Sequence, residues 1–174
     1  MPIVALSLGS NINPERHLRE ALDALHERFG YLRTSSVFES EAVGFSGDNF
    51  LNMVVTLETD EDLTSLSNFL KDFEERHGRQ RQGPRFSGRT IDIDILTYGD
   101  THGETAAIVL PRAEITENAF VLWPLAELMG DDLLPGTAVS IGALWQAYDK
   151  ARQQLWPVNF TWQGRLISQA QIPA

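Results

Sequence analysis

The chain has 174 residues, of which 43% are hydrophobic and 22% charged, a size and composition typical of one soluble globular domain. Its formal net charge of −10 argues against a general nucleic-acid or anionic-membrane surface, so any anion-binding site must be built locally. The absence of cysteine excludes a disulfide framework and a thiolate metal site. The first apolar run is too short for a signal sequence, and none is long enough to span a membrane. We therefore expect a cytoplasmic protein without a membrane partner.

Apolar periodicity in the first half of the chain predicts strand, helix, strand, strand, helix and strand, in that order. The segments are IVALSLGSN, NPERHLREALDALHERFG, TSSVFESEAVG, FLNMVVTLE, DEDLTSLSNFLKDFEERHG and GRTIDIDIL. We expect Asn13 to cap the first helix, Pro14 to lie in its first turn and Gly30 to end it. The order β-α-β-β-α-β predicts an α+β, ferredoxin-like fold with two helices on one face of an antiparallel sheet.

The second half of the chain is expected to add further elements to this fold. AAIVLP favours a short strand, and NAFVLWPLAELM and SIGALWQAYDKARQQ favour additional C-terminal helices. The tail LWPVNFTWQGRLISQAQIPA alternates weakly and favours a strand or a cover for a sheet edge. We predict one domain over residues 1–174, with residues 155–174 as a C-terminal extension.

Two carboxylates interrupt the strongest strand pattern of the chain. In GRTIDIDIL, Ile91, Ile93 and Ile95 alternate with Asp92 and Asp94. Residues two apart in a strand face the same way, which sets the two acids about 6.5–7 Å apart at Cα. Like charges at that spacing repel unless water, a metal ion or arginines lie between them. A solvated outer face of the sheet is the alternative interpretation.

An arginine-rich segment precedes this strand. Five of the fourteen basic residues lie between residues 76 and 89, namely Arg76, Arg79, Arg81, Arg85 and Arg89. The guanidinium group suits phosphate because it makes two parallel charge-assisted hydrogen bonds. Paired aspartates suit Mg²⁺, which takes one or two carboxylates and completes its shell with water and substrate phosphates. The combination predicts a metal–nucleotide phosphate site, and a surface salt-bridge network is the alternative.

Three weaker signals lie elsewhere. The Gly-Ser-Asn turn at residues 9–11 could offer backbone N–H groups to an anion, or simply start a helix. Asn52 could read a heterocycle through its amide, or cap its own strand. Phe50 and Phe120 could stack on a ring, or serve packing alone. The four histidines show no ligand spacing, and we expect them to be solvated.

Four stretches together resemble the family of 6-hydroxymethyl-7,8-dihydropterin pyrophosphokinases. They are LGSN, FLNMVV, GRQRQGPRFSGRTIDIDIL and NAFVLWPLAEL, and the resemblance runs from about Val4 to Leu128. The R-x-x-D-x-D-I core with its arginine-rich lead is specific to this family, whereas the other stretches support it only in combination. The resemblance implies a ferredoxin-like α+β fold, two Mg²⁺ ions, transfer of pyrophosphate from ATP to a pterin alcohol, and release of AMP.

The resemblance also implies site residues, carried over position by position. Asp92 and Asp94 would hold both metal ions and, with Arg79 and Arg89, form the catalytic group. The residues implied for ATP are Glu74, Arg81, Arg85 and Arg89. Those implied for the pterin are Ser40, Val43, Gly44, Phe50, Asn52 and Phe120.

This chain departs from the family pattern mainly on the nucleotide side. The family commonly has two prolines at residues 41–42 and Trp-Gly-Pro at residues 86–88, and neither is present here. Apolar residues, including Ala107 and Val109, replace the Arg and Thr that the typical enzyme offers to the nucleotide. Arg112 stands in place of a His, and Asn118 in place of an Arg. Whether this changed rim weakens or abolishes ATP use stays open, with the hypothesis that Arg112 recovers part of the lost charge.

The favoured interpretation is an active, monomeric pterin pyrophosphokinase of folate biosynthesis. ATP and 6-hydroxymethyl-7,8-dihydropterin are its expected ligands, with no nucleic-acid partner. One alternative is a catalytically weak or inactive paralogue that binds pterin or nucleotide as a sensor or partner subunit. A second is an RNA-binding domain of the same architecture, against which the charge of −10 argues.

Overall fold

Ten strands and five helices follow one another in the computed structural model, which describes residues 1–41, 48–78 and 90–170. The strands are β1 (Ile3–Ser10), β2 (Arg33–Thr34), β3 (Val37–Ser40), β4 (Phe50–Glu58), β5 (Asp92–Tyr98), β6 (Gly103–Thr105), β7 (Ile108–Leu110), β8 (Leu155–Val158), β9 (Phe160–Trp162) and β10 (Arg165–Ser168). The helices are α1 (Pro14–Phe29), α2 (Leu63–Arg76), α3 (Glu114–Glu117), α4 (Ala119–Met129) and α5 (Ile141–Ala147).

The main sheet has the strand order β5-β1-β4-β3-β8, and β2 also pairs with β4. Every pair in it is antiparallel, which confirms the predicted ferredoxin-like α+β fold. The predicted second strand is broken into β2 and β3. The break lies at Ser35, whose backbone N–H donates to Val54 O at 2.9 Å while its Oγ accepts from Val54 N at 2.8 Å. The hydroxyl thus replaces one backbone acceptor of the ladder.

One face of the sheet carries the main core, under α1 and α2. Leu18, Leu22 and Leu25 of α1 are buried there with Leu63, Leu66 and Leu70 of α2 and with alternate residues of β1, β4 and β5. Ile91, Ile93 and Ile95 are among them, at 0%, 5% and 7% exposed. Burial of these isoleucines fixes the direction of the residues between them, so Asp92 and Asp94 face the opposite side of the sheet.

The opposite face is covered by α3, α4 and α5 over part of its length. Ala5, Val54 and Leu96 are fully buried against these helices. An aromatic contact joins β3 to this helical layer, because the ring centroids of Phe38 in β3 and Trp123 in α4 lie 4.5 Å apart. In the described part of the chain, none of the helices is both long and apolar enough to cross a bilayer.

Asn13 occupies the N-cap position of α1 as expected, but in a left-handed conformation, with φ 42°, and its side chain makes no capping hydrogen bond. Two other local expectations are wrong. The last predicted helix ends at Ala147, because Tyr148 is extended and Asp149 Oδ1 accepts from Ala151 N in a local turn. His17 is buried, at 5% exposed, where we expected solvation. Its Nδ1–H donates to a backbone carbonyl at 2.6 Å, which satisfies the buried ring.

A bidentate ion pair ties the end of α1 to the start of α2. Arg28 Nε donates to Glu61 Oε2 at 2.8 Å, and Nη2 of the same guanidinium donates to Oε1. Ser65 Oγ donates to the same carboxylate at 2.8 Å, and the guanidinium lies 4.4 Å from the Phe69 ring centroid. The hydrogen bond from Arg28 lowers the pKa of Glu61 below its ordinary value, outweighing the opposing effect of burial.

We therefore expect Glu61→Gln to lower the free energy of unfolding by less than about 1 kcal/mol at pH 7, since the pair is partly exposed. A carboxylate whose pKa is lower in the folded state stabilises the fold at pH values above its unfolded-state pKa. This stabilisation is lost as the pH falls through its folded-state pKa. The difference from wild type should therefore shrink on acidification below the ordinary Glu pKa of 4.5. Urea unfolding at pH 7 and pH 3 measures it, with the exposed Glu58→Gln as control. An equal difference at both pH values would contradict the assignment.

Candidate functional site

The register of the three central strands places polar groups on either side of a glycine. Gly9 of β1 pairs with Asn52 of β4 on one side and with Asp92 of β5 on the other. Because neighbouring strands lie about 4.8 Å apart, Asn52 and Asp92 are about 10 Å apart at Cα. A Cβ on Gly9 would lie 2.6 Å from Asn52 Oδ1. The glycine is therefore a side-chain-free floor between an amide and a carboxylate.

The two acids of β5 lie half-buried at this end of the sheet. Asp94 pairs with Ser7 in register, and its Oδ1 lies 3.6 Å from Arg112 Nη2. The same guanidinium contacts the carboxylate of Glu114 through Nε. The side chains of Asp94 and Arg112 are 33% and 38% exposed, so the pair stands at the boundary between protein and solvent. Arg112 is thus a fixed positive charge beside the acid pair.

The two aspartates suit a magnesium ion, which does not need a complete shell of protein ligands. Within residues 1–41, 48–78 and 90–170, no group of three or more His, Cys, Asp or Glu side chains converges as a metal site. Mg²⁺ commonly takes only one or two carboxylates and leaves the remaining positions to water and phosphate oxygens. Asp92 and Asp94, adjacent on one strand face, supply that donor set.

A cavity of about 230 Å³ lies along the outer edge of β5, between α2 and β7. It is lined by Ser67, Leu70, Lys71, Glu74, Ile93, Asp94, Ile95, Ile108 and Arg112. Glu74 is 4% exposed, and its Oε2 accepts from Ile93 N at 3.0 Å. The backbone N–H of Arg112 donates to Leu96 O at 2.9 Å. The Glu74 carboxylate and the Arg112 backbone therefore hydrogen-bond to groups on the otherwise unpaired edge of β5, and both residues line this cavity.

The residues expected at the pterin lie across the central glycine from the acids. Asn52 and Ser40 are 6% and 8% exposed, and Asn52 Nδ2 donates to Ser40 Oγ in a long hydrogen bond of 3.4 Å. Phe50 shares the strand face of Asn52, and both Phe50 and Phe120 are half-buried. Phe120 packs on the helical layer below. The structure thus brings Asn52 and Ser40 together and leaves both aromatic rings partly accessible.

The Gly-Ser-Asn turn has a role that sequence reasoning missed. Ser10 Oγ donates to Thr90 O, and Asn11 Nδ2 donates to Asp48 O at 3.2 Å. Both side chains are buried, at 0% and 3% exposed. Thr90 and Asp48 directly follow residues 79–89 and 42–47 along the chain, so the turn holds the first described residue after each of those segments. Six expected site residues lie in those segments, outside the described residues: Val43, Gly44, Arg79, Arg81, Arg85 and Arg89.

The remaining departures from the family pattern are dispersed. Ala107 and Val109 are exposed on the β6–β7 hairpin, with Val109 at 65%. Asn118 Oδ1 accepts from Gln153 Nε2 at 2.9 Å, while Gln153 Oε1 accepts from Ala119 N at 2.8 Å. Gln153 therefore caps the start of α4 from 35 residues away along the chain, as sequence periodicity could not indicate. Of the four changed rim positions, Arg112 alone lines the cavity beside β5.

Known proteins resemble this chain in sequence. A family model described as 7,8-dihydro-6-hydroxymethylpterin-pyrophosphokinase (HPPK) matches residues 5–130. A 2-amino-4-hydroxy-6-hydroxymethyldihydropteridine pyrophosphokinase of Bacillus subtilis is 36% identical over 130 residues, covering 72% of this chain and 77% of that protein. The protein of the same name from Haemophilus influenzae is 30% identical over 156 residues, covering 87% of this chain and 97% of that protein.

Solved structures share the fold. The wild-type HPPK-DHPS of Plasmodium falciparum with pteroate superposes with a TM-score of 0.71 at 14% identity, over 96% of this chain. The chain spans only 47% of that bifunctional protein, so the likeness concerns the fold of one part of it. The family match covers the strands that carry Gly9, Asn52 and the acid pair. The chain therefore belongs to the 7,8-dihydro-6-hydroxymethylpterin-pyrophosphokinase family.

Proposed function

We propose that the protein transfers the pyrophosphoryl group of ATP to the hydroxymethyl oxygen of 6-hydroxymethyl-7,8-dihydropterin and releases AMP, a step of folate biosynthesis. Family membership supports the reaction class. The observation that carries the proposal is the row in which Asn52, Gly9 and Asp92 lie side by side. A heterocycle held at Asn52 could extend over the bare backbone of Gly9 toward phosphates held at the acid pair.

On the pterin side of the site, different residues would bind the edge and the two faces of the pterin ring. The amide of Asn52 supplies both a donor and an acceptor, and its hydrogen bond to Ser40 Oγ orients it. Phe50 and Phe120 would lie against the two faces of the ring, where aromatic stacking adds to apolar burial. Val43 and Gly44 would complete the pocket through their backbones.

The phosphate side would combine carboxylates with guanidinium groups. Asp92 and Asp94 would hold two Mg²⁺ ions, which when bound would neutralise the charge of the triphosphate and polarise its β-phosphorus. Arg79 and Arg89 would stabilise charge on the transferred group. Arg81 and Arg85, with Glu74 beside the cavity at β5, would contact the remainder of the nucleotide.

The chain itself has little covalent chemistry to perform. The pterin hydroxymethyl oxygen attacks the β-phosphorus in line, so that one O–P bond forms as the bond to the AMP oxygen breaks, and the hydroxyl proton leaves to solvent. Asn52 would orient the pterin, the acid pair would hold the Mg²⁺ ions to which the phosphates bind, and Gly9 leaves the space between them free of a side chain. Positioning and charge stabilisation of this kind supply most of the rate in phosphoryl transfer.

One observation favours a second candidate function, a paralogue that binds but does not transfer. Arg112 contacts Asp94, and the apolar residues at the β6–β7 hairpin offer the nucleotide no charge.

A monomeric state, a cytoplasmic location and the organisation of residues 155–174 as an extension of one domain stay predictions.

The two candidates are separated by incubating the protein with ATP, Mg²⁺ and the pterin alcohol. We expect AMP and pterin diphosphate in equal amounts, and loss of at least about a hundredfold in rate for Asp92→Asn or Asp94→Asn, because one preorganised charge contact contributes that much. Asp100→Asn, an exposed acid just after β5, is the matched control and should keep the rate. Binding of pterin or nucleotide without AMP formation would support the non-transferring paralogue instead.

Arg112→Gln tests whether this position recovers nucleotide affinity. The variant should raise the KM for ATP by about tenfold, since it removes a charge-assisted contact to phosphate. Initial rates against ATP at saturating pterin measure the effect. Glu114→Gln, which frees the guanidinium from its acidic neighbour, should leave the KM for ATP unchanged or lower it. An unchanged KM in Arg112→Gln would exclude the role.

Gly9→Ala tests the bare floor of the site. Its Cβ would lie 2.6 Å from Asn52 Oδ1, so the amide must move. We expect a loss of about 1–3 kcal/mol in the free energy of unfolding and a raised KM for the pterin. Gly9→Ala/Asn52→Ala should lose less stability than the sum of the two single variants, because the clash is then absent. Strict additivity in urea unfolding would contradict the contact.

A further inference from the structure

A second cavity, of about 530 Å³, lies away from the candidate active site, between the end of α1, β2 and the β9–β10 hairpin. Its lining includes His26, Tyr31, Arg33, Trp162 and Arg165. None of them belongs to the site proposed for pyrophosphoryl transfer. Residues 162–167 lie beyond residue 130, where the family match ends, so the C-terminal hairpin builds one wall.

The charge of this cavity is opposite to that of the chain. Arg33, Arg165 and His26 line it, and no lining residue is acidic, although the chain carries a net charge of −10. Other arginines are paired, such as Arg16 with Glu20. Across residues 1–41, 48–78 and 90–170, neither Arg33 nor Arg165 has a side-chain ion pair or hydrogen bond. Two unpaired guanidinium groups therefore share one concave surface.

Aromatic walls accompany these charges, and part of them is held rigidly. Trp162 Nε1 donates to Asp23 Oδ1 at 2.9 Å, and its ring meets that of His26 edge-on at 5.7 Å between centroids. His26 Nδ1 donates to Gly30 O at 2.8 Å. Tyr31 is 79% exposed, which leaves its ring open to a ligand. The indole is thus oriented before any ligand arrives.

We propose that this cavity binds a small aromatic phosphate, the chemical class to which nucleoside monophosphates belong. The phosphate lies between Arg33 and Arg165, whose planar forks match its oxygens. The aromatic ring lies against Trp162 and Tyr31, where stacking tolerates many ring types. The volume falls within the usual range of small-molecule sites. The inference does not depend on the transfer reaction proposed above.

The test follows the indole N–H signal of Trp162 by NMR on the full, ¹⁵N-labelled chain. The chain has four tryptophans, so the signal is assigned by its absence in Trp162→Phe. The probes are phenyl phosphate, AMP and inorganic phosphate, each titrated separately. We expect saturable shifts with phenyl phosphate and AMP, and binding of inorganic phosphate at least about tenfold weaker, since it lacks the stacked ring. No shift with either aromatic probe overturns the proposal, and equal affinity for inorganic phosphate overturns its aromatic part.

Variants locate the binding. Arg33→Gln/Arg165→Gln should weaken phenyl phosphate binding by about tenfold or more, because both charge-assisted contacts are lost. The control, Arg16→Gln/Arg152→Gln, changes net charge equally at exposed positions outside the cavity. It should leave the affinity within about twofold of wild type, since distant surface charges are screened. Equal weakening in both double variants, or none in the first, would show that the two cavity arginines do not form the site.

Discussion

The absence of a side chain at Gly9 is the constraint on which the candidate site depends. β1 lies between β4 and β5, so whatever stands at this position separates the group on Asn52 from the group on Asp92. Val4, Leu6 and Leu8 of β1 are buried in the core on one face of the sheet and Ala5 in the core on the other, and a slip of one residue would exchange those faces. Core packing thus fixes the register, and the register in turn sets amide, glycine and carboxylate in one row.

Charge balance at the acid pair adds a second constraint. Two like-charged aspartates on one strand face need a compensating cation, and Arg112 supplies one through Asp94. It also contacts Glu114, so its charge is shared between two carboxylates. A nucleotide bound as proposed would therefore compete with, or join, an ion pair that already exists in the protein alone.

Sequence periodicity predicted the helices and strands in which apolar residues recur at regular intervals. The burial of Ile91, Ile93 and Ile95 followed from their alternation with the two aspartates, which depends only on burial of one side. The strand break at Ser35, the cap that Gln153 provides for α4 and the bond from Ser10 to Thr90 did not follow. Each of these needs a partner from a distant part of the chain, and one polar side chain shows no period. The position of the acids could thus be predicted, but the contacts that hold the surrounding backbone could not.

The two edges of the sheet are completed in different ways, which accounts for the position of the cavity beside β5. On one side β8 pairs with β3, and Ser168 Oγ accepts from Val37 N at 2.8 Å, so backbone and hairpin cover that edge. On the other side Glu74 and the backbone of Arg112 satisfy individual groups of β5. Isolated contacts of this kind leave space between them, where a continuous strand would fill it. The open space therefore falls beside the acid pair, on the edge that the C-terminal segment does not cover.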